Sequence, residues 1–337
     1  MNEALPTLLF PFDRGMLDAP AAGERVLFVG ARAGLHLPDG FAAAFHLVQG
    51  FRPDYLALER AGFIVTPEAE HEGYDAAILL MTRHRRGNEN ALAETLQRVK
   101  PGGLIVAAGT KTDGAASFRK RMAGLMPLED HAAKHHGIVF WLRRPDELSP
   151  AVTEALAPAG ASAAAGFETA PGGFSEDGID AGSRLLADNL PDDLAGDIAD
   201  FAAGWGYLAT CVAGRFAPRS LDLYEAHFAS LEAAKRNMAA HAPGRPCGFF
   251  WQDLLGEPVE RRYDAIVMNP PFHTGRAAEP GVGGRMIAVA AGALRPGGRL
   301  FLVANRPLPY EAAMESAFPR HGEICRDAMF KVLWGRR

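Results

Sequence analysis

The segment Tyr263-Asp264-Ala265-Ile266-Val267-Met268-Asn269-Pro270-Pro271-Phe272 is an apolar run that ends in hydrogen-bond acceptors beside an aromatic ring. A proline pushes the residue before it to extended backbone and has no N–H of its own. Asn269 is therefore expected to be extended, and the carbonyls of Asn269 and Pro270 face no N–H from a neighbouring proline. Such a cluster suits a planar group carrying –NH₂. The Asn269 side-chain oxygen and a proline carbonyl can accept the two amino hydrogens, while Phe272 stacks on the ring. The nitrogen lone pair is then turned toward an electrophile. Asn269, Pro270, Pro271 and Phe272 are the candidate catalytic residues.

A second set of residues could hold what carries the electrophile. Asp197 to Leu208 reads as a short strand, a tight turn and a helix start, with Asp200, Phe201 and Ala202 leading into Gly204 and Gly206. Glycines let the backbone approach a ligand closely. Ser220 to Glu225 reads as the next strand, and it ends in an acid about twenty residues after the glycines. At that spacing a carboxylate can accept both ribose hydroxyl hydrogens of an adenosine. Asp222, earlier in the strand, is the competing candidate, and Glu225 sits at the better end. Phe249 to Asp253 is a short apolar strand whose terminal Asp253 should meet an adenine amino group in this order of elements. Phe228, Leu231, Ala234 and Met238 recur at helical spacing and read as core packing.

These residues need strands to carry them, because in open α/β sheets the ligand crevice lies beyond the carboxyl ends of the strands. The Asn269 segment reads as a buried parallel strand. It is followed by a helix over Met286–Leu294, an Arg295-Pro296-Gly297-Gly298 turn and a strand over Arg299–Asn305. The alternating stretch Ala328–Trp334 suits a closing antiparallel hairpin. Upstream, Phe174 to Ser183 begins as a loop and should enter a helix near Asp180.

The first half repeats this plan. Glu24–Gly30 and Gly73–Leu80 read as strands, Asn90–Val99 as a short amphipathic helix, and Leu104–Gly109 as a strand after the break at Lys100-Pro101-Gly102-Gly103. Tyr74-Asp75-Ala76 matches Tyr263-Asp264-Ala265, and Pro101-Gly102-Gly103 matches Pro296-Gly297-Gly298, at an offset of about 190 residues that fits a duplicated domain. Leu80, Met81 and Thr82 stand where Asn269, Pro270 and Pro271 stand in the second copy. No glycine-rich turn follows Gly30. The first half therefore reads as a copy that kept the fold and lost the site. It carries Arg83, His84, Arg85 and Arg86 in one loop, and Arg119, Lys120 and Arg121 in a helix-like stretch. These read as a solvated face or as a hold on an RNA backbone. His131, His135 and His136 have no Cys or carboxylate at ligand spacing, so no metal is expected. The Pro-, Ala-, Ser- and Gly-rich stretch Pro145–Ala165 marks a boundary between domains 1–155 and 165–337.

At 337 residues, with 48% hydrophobic and 22% charged residues, there is chain enough for two cores. Three scattered cysteines form no disulfide framework and favour a reducing, cytoplasmic setting. The N-terminus has no basic leader before an apolar stretch, so no signal peptide is expected, and no run is long enough to span a membrane. A net charge of −5 argues against strong non-specific nucleic-acid binding.

Several motifs together resemble one family. They are Phe174-Ser175-x-Asp177-Gly178-Ile179-Asp180-x-Gly182-Ser183, the Gly204/Gly206 turn, Asn269-Pro270-Pro271-Phe272-His273, and Val303-Ala304-Asn305 with Leu308-Pro309-Tyr310. The chain resembles the ribosomal RNA small-subunit (16S) guanine-N2 methyltransferases, which are class I S-adenosylmethionine-dependent enzymes. The resemblance implies an α/β fold of two tandem Rossmann-like methyltransferase domains with a degenerate N-terminal copy. It also implies S-adenosylmethionine as methyl donor and a guanine exocyclic amine in 16S ribosomal RNA, free or in the small subunit, as acceptor. On this resemblance Asp180, Ser183, Asp200, Phe201, Ala202, Gly204, Gly206, Glu225, Asp253 and Asn269 are the expected cofactor contacts, in a monomer without metal or membrane partner. Ala202 replaces the first glycine of the usual Asp-x-Gly-x-Gly-x-Gly turn. Methyl transfer to adenine N6 or to a protein glutamine uses the same tetrapeptide, and a non-catalytic RNA-binding assembly factor would keep the fold.

Overall fold

The computed structural model describes residues 4–157, 166–176, 178–271 and 280–337. Asp177, Phe272, His273 and the 158–165 part of the expected linker lie outside the described residues. The chain divides into two compact units, Met1–Gly160 and Ala161–Arg337.

The first unit runs α1 (Leu5–Asp13), β1 (Arg25–Val29), β2 (Ala44–Val48), α2 (Arg52–Arg60), β3 (Ile64–Thr66), β4 (Tyr74–Leu80), α3 (Arg85–Arg98), β5 (Val99–Thr110), α4 (Ala115–Ala123), β6 (Asp130–Lys134), β7 (Gly137–Arg143) and α5 (Pro150–Ala155). The second runs α6 (Ala181–Asp188), β8 (Asp197–Phe201), α7 (Tyr207–Arg215), β9 (Ser220–Glu225), α8 (Phe228–His241), β10 (Cys247–Trp251), β11 (Tyr263–Met268), α9 (Pro280–Ala293), β12 (Leu294–Asn305), α10 (Glu311–Ala317), β13 (Arg320–Arg326) and β14 (Phe330–Arg336).

Among the described residues each unit builds one seven-stranded sheet, and the two orders are the same: β3-β2-β1-β4-β5-β7-β6 and β10-β9-β8-β11-β12-β14-β13. In each sheet one strand, β7 or β14, runs antiparallel to both its neighbours, and the other six point the same way. Each sheet is covered on both faces, as parallel strands require. Leu186, Val212, Leu231 and Val267 belong to the core on one face of the second sheet, and Tyr263, Ile266, Ile287 and Leu302 to the core on the other.

The Tyr-Asp-Ala repeat is the structural signature of the duplication. Tyr74 and Tyr263 are both buried. Asp75 accepts the Arg25 N–H at 2.8 Å and Lys100 Nζ at 2.5 Å. Asp264 accepts the Asp197 N–H at 2.8 Å and an Arg295 guanidinium nitrogen at 2.8 Å. In both copies the strand register shifts between that tyrosine and the alanine two residues on. The carboxylate thus ties the start of β1 or β8 to the start of β5 or β12.

Several boundaries differ from expectation. α3 starts at Arg85, so Arg85 and Arg86 are helical rather than in a loop, and Arg85 and Arg121 both pair with Glu89. β5 and β12 begin at Val99 and Leu294, before the Pro-Gly-Gly sequences, because Tyr74 and Tyr263 pair with those residues. His135 and His136 sit between β6 and β7 with φ of 50° and 61°, the left-handed pair that a two-residue hairpin turn needs.

Candidate active site

The site lies at the carboxyl ends of β8, β9 and β11. β8 alternates: Ile198 faces the core beneath α7 and α8, while Phe201 packs on the other face against Tyr224 and Tyr263. Asp200 shares the face of Ile198 and is fully buried, and neither carboxylate oxygen has a hydrogen-bond partner. Burial pushes its pKa well above 3.8, and the Glu225 charge adds to the rise. The Ala209 N–H in the first turn of α7, near the carboxylate but short of hydrogen-bond geometry, opposes the rise.

After β8 the backbone turns through Ala202 (φ 57°), Gly204 (φ 56°) and Gly206 (φ 87°). The left-handed region is open to glycine and strained for alanine. Gly206 also lets α7 pack on α8, since a Cβ there would lie 3.1 Å from the Ala234 Cβ. The turn is held from outside. The Ala203 N–H donates to the Tyr224 carbonyl at 3.0 Å. Gly204 N–H donates to Glu225 Oε2 at 2.7 Å, and His227 N–H donates to Oε1 at 2.8 Å. The Glu225 carboxylate is thereby aimed at the turn, each oxygen keeping a further lone pair.

Asn269 directly follows β11 and is half-buried. Its Nδ2 donates to Asp180 Oδ2 at 3.0 Å and to Ser183 Oγ at 2.8 Å. Asp180 is the N-cap of α6 and accepts the Ser183 N–H at 2.7 Å. Pro270 is buried and Pro271 exposed. Asp180, Ser183, Ala202, Gly204, Phe174 and Asn269 line one cavity, so the glycine turn and the Asn-Pro-Pro segment open on the same space.

The methyltransferase small domain family matches residues 164–334. The chain belongs to this family. It is 34% identical over 169 residues to the ribosomal RNA small subunit methyltransferase C of Sodalis glossinidius, a match covering 49% of this chain and 47% of that one. It is 35% identical over 165 residues to the protein of the same name from Pectobacterium atrosepticum, with the same coverage. The chain thus spans about half the length of the curated relatives it matches. A solved T. thermophilus 16S rRNA N2 G1207 methyltransferase, in complex with AdoMet and guanosine, superposes with a TM-score of 0.75 at 26% identity, covering 95% of this chain and 89% of that one. The fold is that of two tandem Rossmann-like class I methyltransferase domains, the first degenerate.

Within this methyltransferase fold the sequence expectations separate. Glu225 stands at the end of β9, whereas its competitor Asp222 is buried mid-strand and bound to Arg261 and the Tyr263 hydroxyl, each at 2.7 Å. Phe201, expected at the cofactor, is a core residue. Asp253 caps its own loop, its Oδ1 accepting the Leu255 N–H at 2.9 Å. Sequence reasoning missed Asn237. This buried α8 residue donates to the Trp205 carbonyl at 2.7 Å and to the Glu168 carbonyl at 2.8 Å, and accepts the Glu168 N–H. It braces the turn from behind, and its one available signal was an asparagine at a core-facing helix position.

Among the described residues, no group of three His, Cys, Asp or Glu could hold a metal ion, and no helix is long and apolar enough to cross a membrane.

Proposed function

We propose that the second unit transfers a methyl group from S-adenosylmethionine to the exocyclic N2 amine of a guanine in 16S ribosomal RNA, free or within the small subunit. The observation that carries this reading is the shared cavity: a turn built for a nucleotide-like cofactor and an amide suited to an amine line the same space. The names of the two relatives and of the T. thermophilus structure support the substrate class.

The residues fit such a cofactor. Asp200 is a buried carboxyl with no protein partner, which a cationic ligand nearby would stabilise in its charged form. Glu225, oriented by two N–H donors, keeps acceptor capacity for ribose hydroxyls. When bound, S-adenosylmethionine supplies a sulfonium methyl that is already strongly electrophilic. The chain's task is then to orient the acceptor and exclude water. A guanine amine is a poor nucleophile because its lone pair is delocalised into the ring. Accepting its hydrogens at Asn269 Oδ1 and the Pro270 carbonyl would localise that pair toward the methyl. Asn269 is no base, so the amine proton leaves late, to water. The base must leave its stack to enter, at a cost of a few kcal/mol. We assign the first unit a structural and RNA-holding role, and the whole a monomeric, cytoplasmic setting consistent with three free cysteines.

The test is methyl transfer from labelled S-adenosylmethionine to 16S ribosomal RNA and to small subunits, followed by nucleoside digestion. Label in N2-methylguanosine is the expected result. Label in N6-methyladenosine would keep the amine chemistry and overturn the base. No label, with cofactor binding established, would overturn the reading.

A further inference from the structure

We infer that Asp180 and Ser183 are positioning residues that lock the Asn269 amide with its oxygen toward the acceptor, and that this lock makes the site select a base carrying an exocyclic amine. The inference rests on the amino-methyltransferase reading above and deepens it.

An asparagine amide has two ends of opposite hydrogen-bonding sense and nearly the same shape, and its surroundings decide which end faces where. Here they leave one choice. A carboxylate only accepts, and Asp180 Oδ2 faces the Asn269 amide at 3.0 Å. The end turned to Asp180 must therefore be the –NH₂. Its second hydrogen goes to Ser183 Oγ at 2.8 Å. Both donors are spent on protein, and Oδ1 is the end left to receive a substrate N–H. A flipped amide would set an oxygen against the carboxylate.

The lock is itself anchored. Asp180 caps α6, and the Ser183 N–H holds the same Oδ2 that receives the amide. Ser183 is buried, at 6% exposure. Capping a helix needs only one acceptor contact, so the side-chain link to a residue 89 positions away serves something other than the helix.

The first unit supplies a control. α1 packs on β5 and β7 as α6 packs on β12 and β14. At its N-cap stands Ala4, which makes no side-chain capping bond, and Thr7 takes the place of Ser183 and donates to the Lys134 carbonyl at 2.9 Å. Leu80 replaces Asn269. The lock has vanished together with the amide it would hold.

The measurement is binding of guanosine against inosine, which lacks the amine, to the full chain saturated with S-adenosylhomocysteine. The native protein should prefer guanosine by about tenfold, the worth of one buried hydrogen bond. Asp180→Ala/Ser183→Ala should cut that preference to within about twofold. Its affinity for S-adenosylhomocysteine should hold, and kcat should fall by a larger factor than KM rises. Ser183→Ala alone should lose about threefold, and Asp180→Asn, whose amide oxygen can still accept, should keep the preference. These two conservative variants carry the test if the double variant does not fold. Full preference in Ser183→Ala or in the double variant would overturn the lock. So would loss of S-adenosylhomocysteine affinity in step with the preference, which would make both residues cofactor contacts. Loss in Asp180→Asn as deep as in the double variant would overturn it in favour of charge. No preference in the native protein, with S-adenosylhomocysteine bound, would overturn the functional reading itself and this role with it.

Discussion

The two units share a strand order, a register shift and a carboxylate clamp, and differ at the carboxyl ends of equivalent strands. Register alignment places Phe28 at Asp200, Gly30 at Ala202, Gln49 at Glu225 and Leu80 at Asn269. In the first unit the polar groups at this end are satisfied internally. Gln49 Nε2 donates to the Ala31 carbonyl at 2.5 Å, and Gln49 Oε1 accepts the Phe51 N–H at 2.8 Å. The turn also closes on the strand, since a Cβ at Gly30 would lie 2.6 Å from the Leu80 carbonyl oxygen. In the second unit Ala202 has room for a Cβ, and Asp200 has no partner. A fold survives if its clamps and core are kept, while a site also needs acceptor capacity left over beyond the protein's own bonds, as at Asp200, Glu225 and Asn269. The paired substitutions below test that division.

The largest effect is expected at Asn269 and Leu80. Asn269→Ala should lower single-turnover methyl transfer by about a thousandfold or more, the scale seen when a preorganised polar contact is removed, with S-adenosylmethionine affinity nearly intact. Leu80→Asn should create no site and instead cost about 3 kcal/mol in chemical denaturation, because it buries an amide where a leucine is 3% exposed. Near-normal turnover in Asn269→Ala would remove the amine-orienting role.

Asp200→Asn should stabilise the ligand-free protein by about 2 kcal/mol at neutral pH while weakening S-adenosylmethionine binding. The sign follows from the raised pKa. Above pH 3.8 an unfolded carboxyl has lost its proton while the buried one keeps it. The folded state then binds more protons, so native stability falls as pH rises from that value through the raised one. The variant should lack this decline, and thermal melts across pH would show it.

The clamps should respond alike. Asp264→Ala and Asp75→Ala should each cost about 1 kcal/mol, as partly exposed ion pairs with one backbone N–H do. The Lys100 ammonium and then the Arg25 N–H hold the Asp75 carboxyl below its ordinary range. That contribution is present above pH 3.8 and is lost as pH falls through the lowered value, the reverse of Asp200. A clamp that mattered in one copy only would break the equivalence. The smallest effect is at the turn. Ala202→Gly should relieve the left-handed strain and gain at most about 1 kcal/mol, with turnover retained.

Much of this was legible in the sequence. β11 writes itself as an apolar run, and β8 and β9 could be placed from the glycine turn and the acid about twenty residues after it. β2, β3 and α2 carry weaker patterns, and Pro101 and Pro296 hid the early starts of β5 and β12. The lock was not legible. Asp180 and Ser183 lie 89 and 86 residues from Asn269 and meet it only in space, and no local pattern reports that. The absence of any partner for Asp200 is likewise a property of packing, invisible until the faces of β8 are known.

The most direct test of the division between the two copies is the stoichiometry of S-adenosylmethionine binding, measured by calorimetry on the full chain. One site per chain, abolished by Gly204→Val/Gly206→Val and untouched by Gln49→Ala, is the predicted result. Two sites per chain, or a single site lost in Gln49→Ala, would contradict it.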